Sequence, residues 1–332
     1  MRSLVAALTV LTLLAVPGAA LTAFPGKNGR IAFESDRDGQ DPDIWTMDPD
    51  GGDPRNLTAD SAGGDLGPAW SPDGRRIAFW RDTDGPDGPD DGEIWMMRAD
   101  GSEQTQITDN ADLDLEPAWS PSGRRLVFQR DPDGPGPDDG EIWVMRADGS
   151  CEKQLTDNAV EDNEPAWSPD GRRIAFHRDT DPAPELEAVN FEVFDMRPDG
   201  SDVRQLTDAP GFDGGPNYSP DGRDIAFDSE RDGDADIWVM RRDGGDPTQL
   251  TGEDPAEDAA DILTAWSPDG RFIAFSSNRD STPDVETSDV YVIRADGSEE
   301  TNLTNDPAFD FNPDWQPLDD GDGHEGDDDD DS

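Results

Sequence analysis

The chain has 332 residues and carries 79 acidic side chains against 26 Lys and Arg, which gives a formal net charge of −53 at pH 7. Such a charge repels nucleic-acid phosphates and anionic lipid headgroups, so it excludes nucleic-acid binding and a polybasic contact with a membrane. Only 32% of the residues are hydrophobic, but the 10 Trp and 13 Phe predict that apolar side chains are buried at intervals along the chain.

Residues 1–23 are typical of a secretory signal peptide, with a positive charge at Arg2, an apolar run over residues 4–16 and small residues next to Ala20 and Ala23. Cleavage fits after either alanine. The apolar run is shorter than the roughly 20 residues that cross a bilayer, so we expect no membrane span after cleavage; an uncleaved membrane anchor is the alternative. The sequence therefore predicts a protein that is secreted, periplasmic or held at the cell envelope.

A repeat of about 50 residues follows the signal segment. Four phrases recur in each unit: an aromatic residue before a turn, an apolar triplet such as residues 77–79, an apolar pair such as residues 94–95, and an apolar residue before Thr, as in residues 107–108. The aromatic positions are Trp70, Trp119, Trp167, Tyr218, Trp266 and Trp315. Each of the first five is followed directly by a Ser-Pro-x-Gly sequence, which favours a tight turn between strands.

Each phrase predicts one short strand, and the turn sequences between the phrases predict antiparallel pairing. The triplets are continuously apolar rather than alternating, which is typical of a strand that is buried on both faces. When each repeat forms a four-stranded sheet and the sheets of the neighbouring repeats cover both of its faces, the sheet is a propeller blade. We therefore predict an all-β fold.

The repeat is split between the two ends of the chain. The first unit starts at residues 27–30 without the aromatic phrase, and residues 313–317 supply that phrase at the end of the last unit. This predicts a six-bladed β-propeller over residues 24–318, made of four-stranded antiparallel blades, whose ring is closed by the C-terminal strand joining the N-terminal blade. An open solenoid is the alternative. Residues 319–332 contain nine acidic residues and are predicted to be a disordered tail.

The phrases resemble the TolB-type β-propeller repeat. The resemblance rests on Pro-Ala-Trp-Ser-Pro-Asp-Gly-Arg-Arg-Ile-Ala-Phe at residues 68–79, Asp-Ile-Trp-Val-Met at residues 236–240, and the recurring Ala-Asp-Gly-Ser and Gln-Leu-Thr. It covers about residues 27–318. The resemblance implies a six-bladed propeller that binds protein partners at the cell envelope. The family also has an α/β domain before its propeller, and we expect no such domain here, because the first predicted strand begins only a few residues after the predicted signal peptide.

Residues that could support catalysis are few. The sequence contains no Gly-x-Ser-x-Gly motif for a serine nucleophile, only the two histidines His177 and His324, and the single cysteine Cys151. His177 follows a predicted strand and is interpreted as an ordinary strand-end residue. We predict a non-catalytic protein that binds a protein or peptide partner as a monomer. A metal-dependent hydrolase or lyase acting at the channel mouth is the alternative.

Acidic loops between the second and third strands are candidate Ca²⁺ sites. Calcium takes six to eight oxygen ligands from carboxylates and carbonyls in tight loops, and alternating Asp and Gly supply them. The candidate ligands are Asp36, Asp38, Asp41, Asp43, Asp232, Asp234 and Asp236. The alternative is turn chemistry, in which Asp side chains accept hydrogen bonds from the backbone.

A second acidic set precedes the aromatic strand of each unit. The TolB-type resemblance implies that this strand is innermost, which would gather the set around one mouth of the central channel. The candidate ligand-binding residues are Asp114, Glu116, Asp162, Glu164, Asp213, Asp261 and Asp310. An acidic mouth would attract cations or a basic peptide segment, whereas ordinary solvated loops are the alternative.

Overall fold

The computed structural model describes residues 22–39, 41–61, 63–82, 92–131, 140–180, 190–252, 259–281 and 287–319. Within these residues the regular elements are 24 β-strands in six four-stranded antiparallel sheets. The chain is therefore a six-bladed β-propeller, as the sequence predicts. In the described part of the chain, no helix is long and apolar enough to cross a membrane. The predicted acidic tail, apart from Asp319, and residues 1–21 of the predicted signal peptide lie outside the described residues.

The blades follow one another in chain order. Blade 1 contains β1 (Lys27–Ser35), β2 (Asp43–Met47), β3 (Arg55–Asn56) and β24 (Asp310–Leu318). Blade 2 contains β4 (Asp65–Trp70), β5 (Arg76–Arg81), β6 (Glu93–Arg98) and β7 (Thr105–Gln106), and blade 3 contains β8 (Leu113–Trp119), β9 (Arg125–Asp131), β10 (Glu141–Arg146) and β11 (Lys153–Gln154). Blade 4 contains β12 (Asp162–Trp167), β13 (Ile174–Asp179), β14 (Phe191–Met196) and β15 (Arg204–Gln205). Blade 5 contains β16 (Asp213–Tyr218), β17 (Asp224–Ser229), β18 (Asp236–Arg241) and β19 (Thr248–Gln249), and blade 6 contains β20 (Asp261–Trp266), β21 (Phe272–Ser277), β22 (Asp289–Arg294) and β23 (Thr301–Asn302).

The ring closes through the two ends of the chain. Strand β24 pairs antiparallel with β1, with Trp315 opposite Ile31, and takes the innermost place in the order β24-β1-β2-β3. Closure removes the free edge that an open array would expose. The prediction that the C-terminal strand completes the N-terminal blade is confirmed.

The apolar triplets form the layers between blades. Ile77, Ala78 and Phe79 of β5 are all 0% exposed, as the unbroken apolar pattern requires of a strand that is covered on both faces. The innermost strands β24, β4, β8, β12, β16 and β20 contact one another in sequence around the ring. They therefore line the central channel.

The two ends of the channel have different loops. The turn face holds the Ser-Pro-x-Gly turns, in which, for example, Gly74 adopts a φ of 64° and its N–H donates to the Ser71 carbonyl at 2.8 Å. The mouth face holds the loops that lead into each innermost strand and the loops between the second and third strands of each blade. Thr22 and Ala23, which the sequence places in the signal peptide, are buried in the propeller.

Candidate functional site at the channel

Every innermost strand carries a register shift next to a residue with positive φ. The φ values at these six positions lie between 49° and 60°. The residues are Gly67, Glu116, Glu164, Gly215, Leu263 and Asn312. Positive φ costs little for glycine and asparagine but is disfavoured for Glu and Leu. Such bulges re-aim side chains, and here they bring two glutamates to the centre of the ring.

Side chains from the second strand of one blade support the bulge of the next blade. The Glu34 Oε2 atom accepts a hydrogen bond from the Gly67 N–H at 2.9 Å, and the Ser276 Oγ atom accepts one from the Asn312 N–H at 2.9 Å. Asp228 occupies the same position in blade 5. We refer to Glu34, Glu116, Glu164 and Asp228 as the channel carboxylates.

Burial dominates the electrostatics of the channel carboxylates. Glu116 is 0% exposed, and a hydrogen bond from the Trp80 side chain lowers its pKa by less than burial raises it. Burial, reinforced by the nearby charges of Glu164 and Glu34, raises the pKa of Glu116 well above its usual range. Burial also raises the pKa of Glu34 to about 7 and that of Asp228 to about 7. The channel carboxylates are thus buried acids, and for Glu34, Glu116 and Asp228 burial favours the protonated form.

His177 lies beside this group. Its Nδ1 atom is 3.5 Å from Glu164 Oε2, and its ring packs edge-on against Phe191 and Phe212 at centroid distances of 4.8 and 5.5 Å. Burial lowers the pKa of His177 to about 3, so the imidazole is neutral near pH 7. His177 is thus a channel-wall residue in an aromatic setting.

Most of the predicted mouth ligands are held by arginines instead of facing the channel. Asp114 forms a two-bond ion pair with Arg130, with Nε to Oδ1 at 2.5 Å and Nη2 to Oδ2 at 2.7 Å. The equivalent pairs in the other predicted positions are Asp162–Arg178, Asp213–Arg231, Asp261–Arg279 and Asp310–Arg37. A sixth pair, Asp65–Arg81 in blade 2, lies outside the predicted set. Only Glu116 and Glu164 of the seven predicted residues belong to the channel carboxylates.

Each of these arginines also stacks on aromatic side chains. The Arg130 guanidinium lies 5.2 Å from the Phe128 ring centroid and 4.7 Å from that of Trp143. Equivalent stacking occurs in every blade. The aspartate, the arginine and two aromatic residues form one repeated clamp that ties the innermost strand to the two strands outside it.

The arginine of the clamp lies at one of two spacings from the Phe of the apolar triplet. In blades 2, 3 and 4 it lies two residues after the Phe of the triplet, as in Phe79-Trp80-Arg81. In blades 1, 5 and 6 it lies four residues after that Phe, and an intervening serine accepts its Nε–H, as Ser229 does from Arg231 at 2.8 Å. The arginine that follows the triplet is therefore a sequence signal for the clamp. The signal becomes visible only when the repeats are aligned on the aspartate of the innermost strand, because the arginine stands at two different distances from the Phe.

Three of the four carboxylates of the first predicted calcium loop accept hydrogen bonds from other groups of the protein. Asp36 accepts from the Phe309 N–H at 2.9 Å, and Asp41 is exposed. The Asn56 Nδ2 group donates to Asp43 Oδ2 at 2.8 Å and to Asp38 Oδ2 at 3.4 Å. A side-chain amide therefore bridges two of the four candidate carboxylates.

The second predicted calcium loop is more compact. Asp232, Asp234 and Asp236 place one carboxylate oxygen each within 4.8 Å of one another. The Gln249 amide donates to Asp232 at 2.6 Å and to Asp236 at 2.7 Å, and the Thr251 hydroxyl donates to Asp236 at 2.9 Å. The site contains three carboxylates, two of which also serve as acceptors for strand β19 and the residues after it.

Exposed charge differs between the two faces of the propeller. Among the described residues of the mouth-face loops, the exposed charged side chains are all acidic; they include Asp38, Asp41, Asp60, Asp109, Asp157, Asp208, Glu230 and Asp232. The turn face carries exposed charges of both signs. Its acids include Glu103 and Asp202, which pair with Arg98 and Arg197. The exposed arginines on the turn face include Arg75, Arg98, Arg124, Arg146, Arg172, Arg197, Arg223, Arg241 and Arg271. A basic ligand would therefore be steered to the mouth.

Comparisons with known proteins agree with this architecture. The family model described as the tricorn protease N-terminal beta propeller domain matches residues 188–312. The structure of TolB from Acinetobacter baumannii superposes with a TM-score of 0.68 and 21% identity, covering 89% of this chain and 68% of that one. The chain is a six-bladed propeller with the TolB-like fold. A putative TolB from Agrobacterium tumefaciens, at a TM-score of 0.63 and 20% identity, shares this fold over 87% of this chain and 99% of its own.

Sequence similarity to a curated protein is local. The Tol-Pal system protein TolB of Bordetella pertussis is 49% identical to this TolB-like propeller over 47 residues. That alignment spans 14% of this chain and 11% of the relative. It supports the repeat assignment, while the fold similarity covers nearly the whole propeller.

Proposed function

We propose that this TolB-like propeller is a non-catalytic, exported protein that binds a protein or peptide partner through a basic segment, at the cell envelope or outside the cell. The observation that carries the proposal is that the exposed charged side chains of the described mouth-face loops are all acidic, whereas the turn face carries exposed arginines beside its exposed acids. Inside the mouth, the buried Glu116 lies near the charges of Glu34 and Glu164. A curated relative of part of the chain is named a Tol-Pal system protein, which supports a protein partner.

A capture experiment tests this proposal. Immobilised protein is exposed to an envelope extract at low salt, and captured proteins are identified by mass spectrometry. The mouth variant combines D60N, D109N, D157N and D208N, and the matched control combines R75Q, R124Q, R172Q and R223Q on the turn face. We expect the wild type and the control to capture the same basic partner and the mouth variant to lose it. Capture that is equal for the mouth variant and the wild type, or no capture at all, would contradict the proposal.

Catalysis is tested on the same material. The metal-dependent alternative requires turnover of ester, peptide, glycoside or polyuronate substrates that depends on a divalent ion and is lost in E116Q and E164Q. We expect no such turnover, because the acidic residues of the innermost strands are mostly committed to arginine pairs.

We further propose that Ca²⁺ binds the loop of Asp232, Asp234 and Asp236 and stabilises the propeller. The closeness of the three carboxylates supports this proposal. Calcium at ten times its dissociation constant would add about 1.4 kcal/mol to the free energy of unfolding. We therefore expect millimolar CaCl2 to raise the melting temperature, EDTA to reverse the effect, and D234N to abolish it. The control is D243N, which changes an exposed aspartate on the turn face. An identical melting temperature in CaCl2 and EDTA would refute calcium binding.

A further inference from the structure

The first described residues cross one end of the channel. The Thr22 Oγ1 atom accepts a hydrogen bond from the backbone N–H of Trp167, at 3.0 Å, where the innermost strand of blade 4 ends at the turn face. Five residues later, Lys27 begins β1 in blade 1. Blades 1 and 4 are opposite each other in a ring of six. The segment between them therefore passes over the channel axis.

This segment is packed as part of the propeller. Ala23 is 5% exposed and lies with residues of blades 5 and 6, whereas Phe24 is 4% exposed and belongs to a cluster that includes Trp315 of blade 1. The Gly26 N–H donates to the Pro268 carbonyl at 3.2 Å, in the Ser-Pro-x-Gly turn of blade 6. We call residues 22–24 the stopper.

The hydrogen bond of Thr22 fills a position that is filled in blade 2 by a side chain from the innermost strand of blade 1. In blade 2 the corresponding backbone N–H, that of Trp70, donates to the carboxyl of Asp314 at 2.6 Å. In blade 4 the acceptor for Trp167 comes instead from Thr22. Loss of Thr22 would leave a buried N–H without this acceptor, which is costly.

The sequence leaves two cleavage positions open, after Ala20 and after Ala23, and the stopper separates them. Cleavage after Ala23 would remove Thr22 and Ala23 from a packed site. It would also place Leu21 at the third position before the cut, whereas cleavage after Ala20 places Gly18 there, closer to the small-residue pattern of signal-peptide cleavage sites.

We propose that a signal peptidase hydrolyses the Ala20–Leu21 bond, so that the mature chain keeps residues 22–24 as a stopper that closes the channel at the turn face. Water adds to the Ala20 carbonyl carbon; the Ala20–Leu21 C–N bond breaks, leaving a carboxylate on Ala20 and an ammonium group on Leu21. The proposal rests on the exported state proposed above. It makes the channel a pocket with one opening, at the mouth face.

The cleavage position is measured on the natural precursor. The full chain is expressed in a bacterial host that exports it, and the exported protein is analysed by intact mass and N-terminal sequencing. We expect a chain that begins at Leu21. A chain that begins at Phe24 would overturn this inference while leaving export intact. An uncleaved precursor retained in the cytoplasm would overturn both this inference and the proposed exported state.

Removal of the Thr22 hydroxyl tests whether this residue holds the stopper in place. T22V keeps the side-chain shape but removes the acceptor, so we expect the melting temperature to fall by about 2 °C or more. T22S keeps the hydroxyl and is expected to stay within about 1 °C of the wild type. The control is T105V, on an exposed position of β7. A T22V protein that melts with the wild type would show that Thr22 does not hold the stopper in place.

Discussion

At the scale of single residues, the six bulge positions of the innermost strands differ in their side chains, and this difference affects both the stability of the fold and the chemistry of the channel. Blades 2 and 5 place glycine there, which adopts positive φ without strain. Blades 3 and 4 place Glu116 and Glu164 in the same conformation and bury their carboxyl groups. Strained backbone combined with a buried carboxyl lowers stability, and strained backbone clusters at functional sites.

This cost predicts that Glu116→Gly stabilises the protein. The change removes a non-glycine residue with a φ of 54° and a buried carboxyl, so we expect the free energy of unfolding to rise by about 1 kcal/mol or more. Urea denaturation measures it. The control is D246G, which relieves a φ of 52° at an exposed side chain and removes only an exposed ion pair with Arg241, worth about 1 kcal/mol or less. A lower stability for E116G than for the wild type would mean that the Glu116 carboxyl supports the fold.

The raised pKa of Glu34 predicts a specific loss of stability with pH. Because burial raises this pKa from 4.5 to about 7, the unfolded chain ionises first, and stability that is fully present below pH 4.5 is lost as the pH rises to about 7. A shift of this size corresponds to about 3 kcal/mol. E34Q keeps an oxygen for the Gly67 N–H but does not titrate. We expect the difference in unfolding free energy between pH 4.5 and pH 8 to be smaller in E34Q by about that amount.

Urea denaturation of both proteins at the two pH values measures this effect. The matched control is E103Q, at a carboxyl that is 64% exposed, and it should follow the wild-type profile. Equal pH dependence in E34Q and the wild type would show that the Glu34 carboxyl does not hold a proton in the folded channel.

At the scale of strands and blades, the sequence predicts what is local and misses what depends on pairing between strands. The aromatic phrase, the triplet, the pair and the Thr phrase each lie within one strand or at its end, so their composition suffices to place them. The clamp joins residues such as Asp114 and Arg130 on neighbouring strands. The arginine lies two residues after the Phe of the triplet in some blades and four in others, so the repeat pattern does not reveal the ion pair. The acidic residue of the clamp therefore looks like a free ligand in the sequence.

The clamp predicts a large effect from a single substitution. In Asp114→Ala the Arg130 guanidinium, which is 6% exposed, would stay buried beside Glu152 without its two-bond partner. Breaking a buried pair in this way costs about 3 to 5 kcal/mol. We expect thermal or urea unfolding to show this loss, whereas E103A, which breaks the exposed Arg98–Glu103 pair, should change stability by about 0.5 kcal/mol or less. Similar losses for D114A and E103A would contradict a structural role for the clamp.

At the scale of the whole molecule, the split repeat made ring closure predictable, because a propeller is the arrangement that needs one unit divided between the chain ends. The site could be predicted only in part. Glu116 and Glu164 are in the predicted set, but Glu34 and Asp228 reach the channel from second strands, which no single-strand pattern reveals. The stopper escaped prediction because Thr22 and Ala23 have the composition of a cleavage region.

The net charge of the whole chain predicts how salt affects stability. With a net charge of −53 on the chain, mutual repulsion favours unfolding of the ring. This repulsion acts over a Debye length of about 30 Å at 0.01 M salt, which falls to about 3 Å at 1 M. Screening also weakens exposed ion pairs, but each is worth only about 1 kcal/mol or less, and the buried clamps are screened little. We therefore expect the melting temperature to rise between 0.01 and 1 M KCl, measured in EDTA so that calcium does not contribute. A chain ending at Asp319 lacks eight acidic residues and should show a smaller rise. A melting temperature that falls with added KCl would mean that attraction between opposite charges, rather than repulsion among the acids, dominates the surface.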